Sequence, residues 1–131
     1  MIDTFAFSSQ VLGPAVRERG LLSLEQAVHL ITQAPAELIG FTDRGTLKEG
    51  NWADIVVFDP DRIGCGALHT RFDLPGGAGR LYAEAEGVGH VIVNGREVVR
   101  DNKLTGVESG RVLRSGRDTY TVSLNGNPTR H

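Results

Sequence analysis

Apolar residues recur at helical spacing through the first third of the chain and at strand spacing from Gly45 onward. Val11, Leu12, Ala15 and Val16 share one face of a segment that Ser8 or Ser9 is placed to cap and Gly20 is placed to end in a left-handed conformation. Pro14 falls near the first turn of that segment, where its missing N–H does least harm. Ser23-Leu24-Glu25-Gln26 matches a capping box, and Leu24, Ala27, Val28 and Ile31 follow it at helical intervals. Pro35 ends this helix and suits the first turn of a short new one through Ala36, Leu38 and Ile39, closed by Gly40. Helices this short nucleate poorly alone, so their apolar stripes must cover something.

Beyond Gly45 the pattern predicts strands. Ile55-Val56-Val57-Phe58 is a continuous apolar, β-branched run between turn signals at Gly50-Asn51 and Asp59-Pro60, as expected of a central strand buried on both faces. His90 to Val93 and Arg96 to Val99 flank Asn94-Gly95, the signature of a two-residue type I′ hairpin. Between them Arg62 to Gly89 reads as a long loop with Pro75-Gly76-Gly77-Ala78-Gly79 at its middle and little periodicity before Arg80-Leu81-Tyr82-Ala83. Thr119 to Leu124 alternates like a half-exposed strand, Asn125-Gly126-Asn127-Pro128 breaks it, and the last residues are expected to fray.

Composition narrows the class. With 131 residues the chain suits one domain with a modest core. Lys and Arg number 14 against 16 Asp and Glu, a net charge of −2 that gives no reason to expect nucleic acid as a partner. No apolar run reaches the ~18 residues that cross a bilayer, and Met1-Ile2-Asp3-Thr4 has no basic region leading into an apolar one, so neither a membrane nor export is expected. Cys65 stands alone, which excludes an intrachain disulfide and fits a cytoplasmic location.

The search for chemistry finds little. His29, His69, His90 and His131 form no His-x-His or His-E-x-x-His pair. His29 borders the apolar stripe of its helix and His90 opens a hairpin strand, both ordinary boundary positions. Cys65 and His69 have the spacing of a thiolate–imidazole pair but lie in an irregular Gly-rich stretch, where a small packed thiol is the simpler reading. Asp54, Asp59 and Asp61 are carboxylates close together, yet Asp59-Pro60-Asp61 is a strand-ending turn and Asp54 stands where the chain enters the apolar run, so turn and capping roles are expected. Gly76-Gly77-Ala78-Gly79 lacks the Gly-Lys-Ser/Thr of a phosphate loop.

Taken in order, Ser23 to Val28, Thr32-Gln33-Ala34-Pro35-Ala36, Gly40, Gly45, Gly50, Ala53 to Asp59 and Val91 to Arg96 resemble the closing signature of the amidohydrolase superfamily. Arg17 to Ser23, Thr70 to Gly77 and Arg111-Val112-Leu113-Arg114 are similar to its D-aminoacylase, or N-acyl-D-amino-acid deacylase, branch. The resemblance implies a parent enzyme with a (β/α)8 barrel and a small β-sandwich assembled from both chain ends, hydrolysing N-acyl-D-amino acids with a zinc-activated water. The family's His-x-His, bridging ligand, two later histidines and final Asp have no counterpart here, so the resemblance assigns no catalytic, cofactor-binding or metal residue to any position.

The expected architecture is therefore α+β, with residues 1–44 a helical segment from the barrel's outer edge and residues 45–131 a β-rich sandwich portion. On this reading the chain is the C-terminal segment of a zinc hydrolase, inactive and structural alone. Its partners would be the missing barrel portion of the same enzyme and further copies of itself. Two alternatives stand beside it: a free-standing β-rich interaction module, and a segment of a cyclic-amide hydrolase such as a hydantoinase.

Overall fold

The structure is a computed structural model that describes residues 6–123 together with the backbone of 128–129. Its order of elements is α+β, helices first and antiparallel strands after, as the periodicity implies. Helix α1 spans Phe7–Gln10 and runs into a π-helical stretch, Val11–Glu18. Ser8 and Ser9 lie inside α1 instead of capping it, and the preceding Ala6 makes no side-chain cap. Pro14 accounts for the wide turn that follows. Its ring crowds the carbonyl one turn back, and Arg19 N–H reaches five residues back to Pro14 O at 3.1 Å. Gly20, at φ +60°, ends the segment.

Helix α2, Leu24–Ile31, opens with the full capping box: Gln26 N–H donates to Ser23 Oγ at 3.2 Å and Ser23 N–H to Gln26 Oε1 at 2.9 Å. Helix α3, Gln33–Ile39, follows directly, takes Pro35 in its first turn, and stops at Gly40 in the left-handed region. The core sits where these helices meet the chain just past the first strand, with Leu12, Ala27 and Ile63 buried and Phe58 and Val88 packed against them. Close approach makes the seam possible. A Cβ on Gly13 would lie 2.5 Å from Ile63 O, and Arg17 Nη1 donates to that same carbonyl at 2.7 Å.

Strands β1 (Ile55–Phe58), β6 (Val88–Val93), β7 (Arg96–Arg100) and β8 (Lys103–Leu104) form one antiparallel sheet in the order β1-β6-β7-β8. The β6–β7 turn is the expected type I′, with Asn94 at φ 49° and Gly95 at φ 78°. A second left-handed pair, Asp101 and Asn102, turns β7 into β8. Between β1 and β6 the stretch read as a loop is instead largely paired: β2 (Gly64–Cys65) with β5 (Ala85–Glu86), and β3 (His69–Arg71) with β4 (Arg80–Tyr82). These strands are two or three residues long, too short to print a period on the sequence. Near the end, β9 (Thr121–Val122) pairs with β10 (Pro128–Thr129), while the expectations for Leu124 to Asn127 and for the last two residues lie outside the described residues.

The apolar run Ile55 to Phe58 is not central. β1 occupies an edge, with Val56 54% and Val57 49% exposed. Asp59 N–H donates to Gly87 O and Gly95 N–H to Ala53 O, so the odd-numbered residues face β6 and the backbone groups of Val56 and Phe58 turn outward. Covering both faces and both edges of this strand takes elements that the described residues do not supply.

Gly40 ties the helices to the end of the chain, because Tyr120 N–H donates to Gly40 O at 2.8 Å and a Cβ at Gly40 would lie 2.2 Å from Tyr120 O. Gly95 has a similar φ but open space around it. Gly95→Ala is expected to cost about 1–2 kcal/mol from the backbone alone, and Gly40→Ala clearly more, about 3 kcal/mol or above. Urea denaturation of the two variants checks the order, and equal losses would remove the close contact as the cause.

Candidate functional site

Three groupings of side chains could carry a function: a polar junction around Asp54, a charged hairpin, and an apolar cleft. At the junction one carboxylate serves two distant segments. Asp54 Oδ2 accepts from Arg44 Nη1 at 2.6 Å, and Asp54 Oδ1 accepts from the backbone N–H of Asn94 at 2.7 Å. Asn94 Nδ2 in turn donates to Ser109 O at 2.6 Å, and Arg111 lies over the Trp52 ring at 4.3 Å while its Nη2 stands 3.6 Å from Asp43. Arg44, only 12% exposed, also contacts Asp43 at 3.2 Å. Every charge here has an opposite neighbour, and the Asp54 carboxylate is engaged through both oxygens. The arrangement joins loop, strand and hairpin turn; it does not present a free acid or base.

In the hairpin of β3 and β4, Asp73 receives Arg80 through both oxygens at 2.6 and 2.7 Å, and Arg71 donates to Glu84 at 2.8 Å. Arg71 lies 3.8 Å from the Tyr82 ring centre and Arg80 4.9 Å from it. The Arg80 hydrogen bond holds the Asp73 carboxyl below its ordinary value of 3.8. Glu97 is lowered from 4.5 by Arg100 first and His90 second, and Asp118 is lowered from 3.8 by Arg117 first and by the Arg114 N–H second.

The cleft of about 830 Å³ opens between α2 and β1, lined by Leu12, Leu24, Val28, Ile55, Val56 and Phe58 among others. His29 and Asp54 stand at its margin. It is predominantly apolar, with no convergence of charged groups on its floor.

The residues singled out for chemistry are dispersed. Cys65 Sγ meets Gln10 Nε2 at 2.8 Å, while the His69 ring turns to Ala67 O at 3.2 Å and to the edge of Tyr82, so thiol and imidazole serve different neighbours. His90 Nδ1 pairs with Glu97 at 2.6 Å, His29 is exposed on α2, and His131 lies outside the described residues. Asp59 Oδ1 accepts from Asp61 N–H at 2.9 Å, a turn contact. Pro75–Gly77 forms a tight turn at the tip of the hairpin, with Gly76 left-handed at φ 72° and Gly77 N–H donating to Leu74 O at 3.1 Å. Among the described residues no group of three or more His, Cys, Asp or Glu side chains is placed to hold a metal ion. Sequence reading missed the Asp73–Arg80 clamp, although opposite charges flanking Leu74-Pro75-Gly76-Gly77-Ala78-Gly79 are what a hairpin closed around that tip would show.

The comparisons with known proteins bear on these surfaces. The profile of the Amidohydrolase family matches residues 6–99. The chain belongs to the amidohydrolase family. It is 46% identical over 87 residues to an N-acyl-D-glutamate deacylase of Alcaligenes xylosoxydans xylosoxydans, covering 66% of this chain and 16% of that enzyme. Its backbone matches a D-aminoacylase mutant in complex with copper chloride at a TM-score of 0.68 and 38% identity, over 81% of this chain and 20% of that one. An N-acyl-D-glutamate deacylase of Bordetella bronchiseptica, complexed with zinc and a phosphonate inhibitor, matches at 0.51 and 46% identity over 69% of this chain and 17% of its own. This amidohydrolase chain thus spans a fifth or less of each of these three relatives. The metals belong to those relatives, and the described residues of this chain do not fit one.

Two outcomes follow from the polar groups. Asp54→Ala removes the acceptor of Arg44 Nη1 and of the Asn94 N–H while Arg44 Nε keeps Asp43, and is expected to cost about 1–2 kcal/mol in urea denaturation; a loss under about 0.5 kcal/mol would make the junction incidental. The carboxyls of Asp73, Glu97 and Asp118 are lowered on folding, so their contribution is complete above the ordinary values of 3.8–4.5 and disappears as pH falls through the lower folded values. Melting temperature is expected to hold at neutral pH and fall on acidification below about pH 4, by little because all three are solvated. A melting temperature that rose on acidification would contradict the sign.

Proposed function

We propose that this chain is the C-terminal portion of a metal-dependent amidohydrolase that removes the acyl group from N-acyl-D-amino acids, and that its own part is structural. The observation that carries the reading is the match, in sequence and backbone, to one stretch of D-aminoacylases amounting to a fifth or less of their length. Residues 1–44 would lie on the outer edge of the barrel and residues 45–131 would form part of the sandwich. The open surface supports this. The outward edge of β1 and the cleft beside α2 would be covered by the remainder of the enzyme, whose residues would hold the zinc and perform the hydrolysis. The lone thiol, Cys65, is in keeping with a cytoplasmic setting.

A free-standing interaction module is the rival, and reconstitution separates the two. The chain is to be mixed with the part of the Alcaligenes N-acyl-D-glutamate deacylase that precedes the matching stretch. The expected result is a one-to-one complex that releases D-glutamate from N-acetyl-D-glutamate only with zinc and leaves hydantoin intact. The chain alone is expected to be inactive and to sediment heavier than 14.1 kDa at high concentration, since its open faces then meet other copies. No complex, together with a clean monomer, would favour the module; hydrolysis by the purified chain alone would overturn the proposal.

A further inference from the structure

The β3–β4 hairpin is amphipathic in a way that the deacylase reading leaves unexplained. Pairing of His69 with Tyr82 and of Arg71 with Arg80 places those four side chains on one face. That face is satisfied internally, Arg71 by Glu84 and Arg80 by Asp73, with Tyr82 beneath the two guanidinium groups. Thr70 pairs with Leu81 on the other face, Phe72 meets Gly79 beside Thr70, and Leu68 immediately precedes β3. Phe72 lies against the hairpin itself: a Cβ on Gly79 would meet its Cε1 at 2.9 Å and Thr70 Cγ2 at 3.0 Å. The aromatic ring rests where the opposite strand has no side chain. Even so, Leu68 is 59%, Phe72 73% and Leu81 55% exposed.

One face therefore spends its charges on itself and holds the two short strands in register, while the other offers three large apolar side chains to solvent. A self-neutralised ladder recruits neither anions nor nucleic acid, which leaves the apolar side as the face for contact. We infer that the Leu68–Phe72–Leu81 face is a docking surface for the remainder of the deacylase chain, a second anchor separate from the β1 edge and the α2 cleft. The inference rests on the function proposed above. Length favours this occupant over another: the matched relatives carry four-fifths or more of their chain outside the stretch this protein represents.

The test uses the full chain and the same preceding portion of the Alcaligenes N-acyl-D-glutamate deacylase as the probe. Phe72→Ser/Leu81→Ser is expected to weaken capture at least about tenfold; because the Phe72 ring also rests on Gly79, capture is compared at a temperature where the variant's own melting curve shows it folded. Leu68→Ser, outside the paired strands, should act in the same direction without straining the hairpin. Unchanged capture of both variants, with the unsubstituted chain bound, overturns the docking face and leaves the deacylase reading standing. Failure of the unsubstituted chain to bind removes that reading and this one with it. If the variants instead dissociate a dimer of this chain and leave capture intact, the face belongs to a second copy and the inference is wrong.

Discussion

Backbone hydrogen bonding at a strand edge is the constraint from which the rest of this structure follows. β1 is apolar at all four positions, yet among the described residues only one of its edges is paired, and the N–H and C=O groups of Val56 and Phe58 point away from β6. Such groups are satisfied by water or by another strand, and water is a poor neighbour for exposed Val56 and Val57. The strand is kept in place from within by its pairing to β6 and by Phe58, which packs towards the Leu12, Ala27 and Ile63 core. Its apolar residues Ile55, Val56 and Phe58 also line the cleft next to it.

The helices do not stack on this sheet through a broad apolar layer. Beside the small apolar core around Leu12, Ala27 and Ile63, they are fastened by a few close contacts: Gly13 against the Ile63 carbonyl, Arg17 donating to that carbonyl, and Gly40 against Tyr120. Each works because a side chain is missing or because a long cation reaches a backbone oxygen. A core of this size gives little margin, so polar fastening has a larger share of the work than in a fully enclosed domain. Asp54 belongs to the same design. Its carboxylate joins Arg44 to the β6–β7 turn, and a charged residue at the mouth of an apolar strand thereby serves connectivity, not catalysis.

Membership of the amidohydrolase family gives these features a common sense. The chain spans a fifth or less of those relatives, and on the function proposed above its open surfaces would be covered by the rest of such an enzyme. The hairpin shows the same division on a small scale, with one face closed by Asp73–Arg80 and Arg71–Glu84 and the other open.

The sequence by itself determined what depends on neighbours in the chain. The Ser23 capping box, the stop at Gly40 and the Asn94-Gly95 turn are set by backbone dihedrals and hydrogen bonds within a few residues, and each stands where its motif places it. The turn role of Asp59 was legible for the same reason. Tertiary structure decided the position of β1, the pairing inside 62–89, the wide turn after Pro14 and the partners of Asp54. An apolar run states that its faces require cover, but not whether the cover lies in the same chain, so an edge strand read as a central one. Asp54 finds Arg44 ten residues before it and Asn94 forty after, and a contact of that separation is fixed by strand register, which no local pattern encodes.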